Sequence, residues 1–232
     1  MQISFHSLLA GARAASGTTV IIDVFRAFSC TPLLFSLGIE KSILVATPQQ
    51  AFALKKQDKD LLLIGEVGGI RIEGFDLGNS PSEILRRPAA YFKDRTVVQR
   101  TSSGVQGVLA ALDVAEEVLP ASYNIARATA NYILSKQPGN VSLVAMGWDL
   151  KQRAPEDEWC ARYIAHLMGL SEYNHNQALF EILSGKTARR FLRSAEPDFP
   201  PEDPVYCLQP NIYDFALRAT RNKDRVEVHK IE

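Results

Sequence analysis

Strand-length aliphatic runs alternate with helical spacings through the first two-thirds of the chain, and that alternation leaves few folds open. TVIIDVF (19–25), KSILVA (41–46), LLLIG (61–65), RTVVQRT (95–101), AEEVLPA (115–121) and VSLVAMG (141–147) have the length and β-branched content of strands. SCTPLLFSLGI (29–39), PQQAFALKKQ (48–57), SSGVQGVLAAL (102–112), IARATANYILSK (125–136) and EDEWCARYIAHLM (156–168) space their apolar residues as helices do. Pro32 and Pro48 fall where a first helical turn tolerates proline. Strands that are apolar throughout must be covered on both faces, which crossover helices on a parallel sheet achieve. The fold class is therefore α/β, a mainly parallel sheet flanked by helices. Right-handed crossovers place the carboxyl ends of the strands on one edge, and ligands of open α/β sheets bind outside those ends. The last sixty residues are less regular. QALFEILSG and the spacing of Ala188, Phe191 and Leu192 suggest helices, EPDFPPEDP reads as a Pro-rich acidic loop, and RVEVHKI (225–231) alternates like a late strand. Residues 1–232 are taken as one unit, with a division into two subdomains left open and no boundary assigned.

Composition excludes several function classes. The 26 basic and 26 acidic residues balance, and no basic tract of the kind that tracks a phosphate backbone occurs, so no nucleic-acid partner is expected. Three scattered cysteines, Cys30, Cys160 and Cys207, form no disulfide framework and no CxxC zinc pair, and His6, His166, His175 and His229 are equally dispersed. No stretch approaches the ~20 apolar residues of a membrane span. MQISFHSLLAGARAASG, with Arg13 inside it, lacks the pattern of a signal peptide. A cytoplasmic protein without a membrane partner is expected, with a homodimer as one open assembly.

The strand ends carry the chemistry. Asp23 and Arg26 follow the first strand, Glu66 ends the third, and Thr101, Ser102, Ser103 and Gly104 follow the fourth. GIRIEGFDLGNSPSEIL (69–85) adds Arg71, Asp76, Asn79 and Ser80 after the third strand, among glycines that permit tight turns. Carboxylates such as Asp23, Glu66 and Asp76 suit Mg²⁺, a hard cation that takes oxygen ligands. Arginines match phosphate or sulfonate oxygens. A helix opening at Thr101–Gly104 offers free N–H groups to an anion. Together they suit hydrolysis of a small phosphorylated, multiply anionic molecule. Several of these residues also have plain structural explanations. Glu156 and Asp157 read as first-turn acids of their helix, Ser102 or Ser103 as an N-cap, Asn79-Ser80-Pro81 as a turn into a helix, and Cys160 as packing. GxxxxGK[ST], GxGxxG and GxSxG are absent.

VIIDVFRAFS, GEVGGIRIEGFDLGNSPSE, TVVQRTSSGVQG and MGW…PEDEWCA, in this order, resemble the 2-phosphosulfolactate phosphatase (ComB) family over roughly residues 18 to 168. The resemblance implies that family's α/β fold and Mg²⁺-dependent hydrolysis of 2-phosphosulfolactate to sulfolactate and phosphate, in a route to coenzyme M. Asp23, Arg26, Glu66 and Asp76 are the expected catalytic residues, with Asp23, Glu66 and Asp76 on the metal. Arg71, Asn79, Ser80, Thr101, Ser102, Ser103 and Gly104 are the expected contacts to the small anionic organophosphate. A phosphatase for another phosphorylated 2-hydroxy acid and a non-catalytic anion-binding homologue are the alternatives. Where the family commonly has arginine this chain has Val67, and where it has T-T-N-G-T this chain has Thr101-Ser102-Ser103-Gly104-Val105.

Overall fold

The computed structural model describes residues 1–193 and 196–231. The chain opens with Gln2–Ser7 (β1), Leu8–Ala14 (α1), Thr18–Ile22 (β2), Ala27–Ser36 (α2), Lys41–Leu44 (β3), Pro48–Gln57 (α3) and Leu62–Val67 (β4). It continues through Ile70–Arg71 (β5), Pro81–Leu85 (α4), Thr96–Arg100 (β6), Gly104–Ala111 (α5), Glu117–Ala121 (β7), Ala126–Lys136 (α6) and Asn140–Ala145 (β8). Pro155–Leu167 (α7), His175–Ser184 (α8), Lys186–Arg193 (α9), Glu202–Cys207 (α10), Ala216–Asn222 (β9) and Arg225–Ile231 (β10) complete it. Among the described residues no helix is long and apolar enough to cross a membrane.

Local rules account for these elements. α3 starts at Pro48 because Thr47 caps it, accepting from Gln50 N–H while the Gln50 side chain returns to the Thr47 N–H. Successive residues of β4 face opposite sides. Leu62 and Ile64 enter a core beneath α2 with Leu33 and Phe92, and Leu63 enters a second core with Ile43 and Phe75. The largest core joins β2, β7 and β8 to α5, α6 and α7, around Ile21, Leu119, Leu143, Val108, Ile133 and Ile164. Part of the acidic Pro-rich segment expected as a loop is α10, and β1, α1, β5 and β9 were not anticipated.

The sheet order is β1-β8-β2-β7-β9-β10-β3-β6-β4-β5. Two parallel blocks, β1-β8-β2-β7 and β3-β6-β4, are joined by the antiparallel C-terminal pair β9-β10. This corrects the expectation of a single carboxyl edge. The three junctions β7/β9, β9/β10 and β10/β3 are all antiparallel, so the second block runs against the first. In a flat sheet the two sets of carboxyl ends would lie on opposite edges. The ends of β2 and β6 meet all the same, and Gly104 N–H donates to Asp23 Oδ2 at 2.7 Å.

Candidate active site

The site lies where the ends of β2, β4, β6 and β8 converge. Asp23, Glu66, Asn79, Ser102, Ser103 and Trp148 are among the residues facing one cavity there. Glu66 is nearly buried, and its carboxylate is held from three directions. Ser102 N–H donates to Oε1, while Gly69 N–H and the Ser102 hydroxyl donate to Oε2. Arg100 steadies the same turn, donating to the Glu66 carbonyl at 2.6 Å and the Ser102 hydroxyl at 3.4 Å. Gly69 must be glycine, because its φ is +86° and a Cβ there would lie 2.3 Å from the Phe199 ring.

Asp23 leaves the buried strand β2 and caps two helices at once. Oδ1 accepts from Ala27 N–H of α2 at 3.0 Å, and Oδ2 accepts from Gly104 N–H of α5. Burial pushes its carboxyl up to about 6 against the pull of those two N–H groups, and the Glu66 charge adds to the rise. Behind it stand two more buried acids. Asp157 clamps the ends of β2 and β8, accepting from Val24 N–H at 2.7 Å and Gly147 N–H at 2.8 Å. Burial holds the Asp157 carboxyl well above its ordinary range and pushes Glu156 up to about 7, and the Asp23 charge raises both. Glu156 Oε2 is buried without a hydrogen-bond partner. As residues of the first turn of α7, Glu156 and Asp157 sit where helix acids are expected, yet both are in the interior. No sequence signal distinguished them from surface acids.

The expected site residues divide into two groups. Asp23, Arg26, Glu66, Asn79, Ser102 and Ser103 line the cavity, and Gly104 touches it through Asp23. Arg26 is not free to take an anion as expected. Its guanidinium is ion-paired with fully buried Asp203 at 2.8 Å and donates to the Asp198 and Gly69 carbonyls at 2.7 and 3.0 Å. Asp76 does not join Asp23 and Glu66. Its carboxylate accepts from Leu63 N–H at 2.8 Å and pairs with Lys55 at 3.2 Å, which ties the loop to β4. Arg71 turns toward Glu83 at 3.2 Å and the carbonyls of Phe75 and Asp76, outside the cavity. Ser80 caps α4, accepting from Glu83 N–H, and donates to Asp203 at 3.0 Å. Thr101 accepts from Val105 N–H at 3.1 Å. The anion site expected at the start of α5 is thus largely occupied by the protein's own acceptors, since Ser102, Gly104 and Val105 N–H groups go to Glu66, Asp23 and Thr101. Val67, at the position where the resemblance led us to expect arginine, is 50% exposed and does not line the cavity.

A hard divalent cation fits what remains. Of the roughly four lone-pair sites on a carboxylate, Glu66 has three filled by protein donors and Asp23 two. Asn79 Oδ1 is buried on the same cavity with no hydrogen-bond partner. The Glu66 charge raises the proton affinity of Asp23, and a cation between them would neutralise that negative site. Among the described residues no cluster of three or more His, Cys, Asp or Glu is arranged for a metal, so the oxygen set is two carboxylates and one amide. That set suits Mg²⁺, which commonly binds through one or two carboxylates, waters and substrate phosphate.

A family profile described as 2-phosphosulpholactate phosphatase matches residues 6–221. The chain is 29% identical to a Bacillus subtilis protein over 97% of its own length and 95% of that protein. A Synechococcus relative is 31% identical over 82% of this chain and 74% of its own. A Deinococcus radiodurans relative is 33% identical over 66% and 63%. All three carry the name "Probable 2-phosphosulfolactate phosphatase".

Proposed function

The chain belongs to the 2-phosphosulpholactate phosphatase family, and from that premise we propose that it hydrolyses 2-phosphosulfolactate to sulfolactate and phosphate with Mg²⁺ as its cofactor. The observation that carries the metal part of this reading is the unpartnered Asn79 Oδ1, which shares a cavity with the incompletely occupied carboxylates of Asp23 and Glu66. Asp23, Glu66 and Asn79 would hold the Mg²⁺, whose chemistry is to neutralise charge on the phosphoryl oxygens.

The chain's own residues supply the rest. Ser102 and Gly69 fix the Glu66 carboxylate, and Ala27 and Gly104 fix that of Asp23, so neither acid reorganises when substrate arrives. The Ser103 hydroxyl accepts a long bond from Leu150 N–H, 3.4 Å, and its O–H is available to a substrate oxygen. Phe25 and Trp148 wall the cavity and limit bulk water around the reacting group. The buried Arg26–Asp203 pair holds the Gly69 carbonyl, and with it the turn that carries Glu66's third donor. Because the product retains its sulfonate, the same reading assigns the step to a coenzyme M-type biosynthetic route.

The test is phosphate release from 2-phosphosulfolactate by the purified chain with Mg²⁺ and with EDTA. Release that depends on Mg²⁺ and is lost in Glu66→Gln is the expected result. No release from this substrate, or release indifferent to EDTA, would overturn the substrate or the metal assignment respectively.

A further inference from the structure

Beside the active-site cavity lies a second pocket that nothing above uses. The two share the Trp148 wall, but the first encloses about 30 Å³ and the second about 350 Å³. Its lining is basic, with Arg153, Lys186 and Arg190 and no acidic residue. Arg190 is held in place by aromatic faces, its guanidinium carbon 3.7 Å from the Phe199 ring centre and 5.6 Å from that of Trp148. Glu196, at 2.8 Å, and Glu158, at 3.6 Å, pair with Arg190 and Arg153 from outside the lining. Lys186 has no ion-pair partner among the described residues.

The catalytic cavity poses a charge problem that this pocket answers. Its arginine, Arg26, is already neutralised by Asp203, and two carboxylates face the same space. A metal would balance the phosphoryl group, which leaves the remaining acid groups of the substrate without a counter-charge. A groove past Gly69 and Asn79 offers Arg26, Arg71 and Arg86 but also Glu83 and Asp198. The Trp148 pocket has no acid in its lining, and its Lys186 stays unpaired among the described residues. In 2-phosphosulfolactate the carboxylate is bonded to the carbon that bears the phosphate, whereas the sulfonate stands one carbon farther out. The sulfonate is therefore the group that reaches beyond a small phosphoryl cavity.

We propose that Lys186 and Arg190, with Arg153 at the rim, form the subsite for the strong-acid group of the leaving alcohol, across Trp148 from Asp23 and Glu66. This rests on the phosphatase reading above and extends it to specificity. Guanidinium and ammonium groups bind a sulfonate through charge-assisted hydrogen bonds, and loss of one such contact costs about tenfold or more in affinity.

The experiment compares 2-phosphosulfolactate with 2-phospholactate, which has the same skeleton without the sulfonate. The wild-type chain should prefer the sulfonate substrate by about tenfold or more in kcat/KM. Lys186→Gln should lower that preference about tenfold, chiefly through KM, with 2-phospholactate turnover changed less than twofold. Arg190→Gln should act in the same direction, with its Tm measured because it also loses aromatic contacts. A preference that survives both substitutions, or an equal fall for both substrates, overturns the subsite. If the wild type hydrolyses neither ester, the phosphatase reading fails by itself. The subsite is then decided by calorimetry with sulfolactate, where binding by the wild type that Lys186→Gln abolishes supports it, and no binding by the wild type overturns it.

Discussion

Gly104→Ala sets two physical effects against each other. Gly104 is the first residue of α5, and replacing a helical glycine by alanine ordinarily stabilises by up to about 1 kcal/mol. Here the new Cβ would lie 2.7 Å from Asp23 Oδ2, 2.9 Å from Asp23 Cβ and 3.0 Å from Ala27 Cβ. Ordinary contact begins at 3.4 Å, so the carboxylate would have to retreat by about 0.7 Å. Asp23 is buried and its other oxygen is bonded to Ala27 N–H, so a retreat toward the cavity strains that second bond as well. The bond from Gly104 N–H is lost or stretched, at a cost of about 1.5–3 kcal/mol for a charged acceptor. The balance is a net destabilisation of roughly 1–2 kcal/mol, which for a chain of this size lowers Tm by a few degrees. Displacing an active-site carboxylate by a sizeable fraction of an ångström should lower kcat by about 100-fold. Phosphate release and a thermal melt on the same preparation read both. A variant that melts higher than wild type with unchanged kinetics would show that Asp23 is not positioned by α5.

Other substitutions probe the surrounding structure. Asp203→Asn leaves the buried Arg26 guanidinium without its counter-charge and should cost about 3 kcal/mol or more in denaturant unfolding; an unchanged midpoint would mean the pair is dispensable. Glu156 has its carboxyl raised from 4.5 to about 7, so the native state binds more protons than the unfolded chain between those values and stability falls as pH rises through that window. Glu156→Gln removes this contribution, and its stability in EDTA should decline less steeply across the window and exceed wild type above about pH 7 by on the order of 3 kcal/mol; identical slopes would refute the burial argument. Arg71→Ala should lower Tm while KM changes less than twofold, because its guanidinium is engaged by Glu83 and two loop carbonyls; a tenfold rise in KM at constant Tm would restore it to substrate binding.

The alternation of elements is legible in the sequence. Apolar periodicity and capping are local, so α3 was bounded at Pro48–Gln57 from Thr47, Pro48 and the spacing alone. The sequence also led us to expect the Glu66 and Ser102 segments on one cavity, but that β4 and β6 are adjacent parallel strands, so that Ser102 N–H reaches Glu66, is a property of the fold. β9 escaped detection because ALRATRN is half polar and is a strand through its pairing with β10. That pairing decided most of what followed. Inserting β9 and β10 between the blocks reverses β3-β6-β4, yet the ends of β2 and β6 come together where Gly104 N–H donates to Asp23. The identity of a carboxylate's partner is likewise non-local. Asp76 and Asp203 are equally polar in sequence, yet one pairs with Lys55 at a partly exposed loop and the other with Arg26 in the interior, 177 residues away along the chain. Periodicity reports which face of an element is buried. It carries no information about which distant element does the burying, and at this site that choice separates an acid that faces the cavity from one paired away from it.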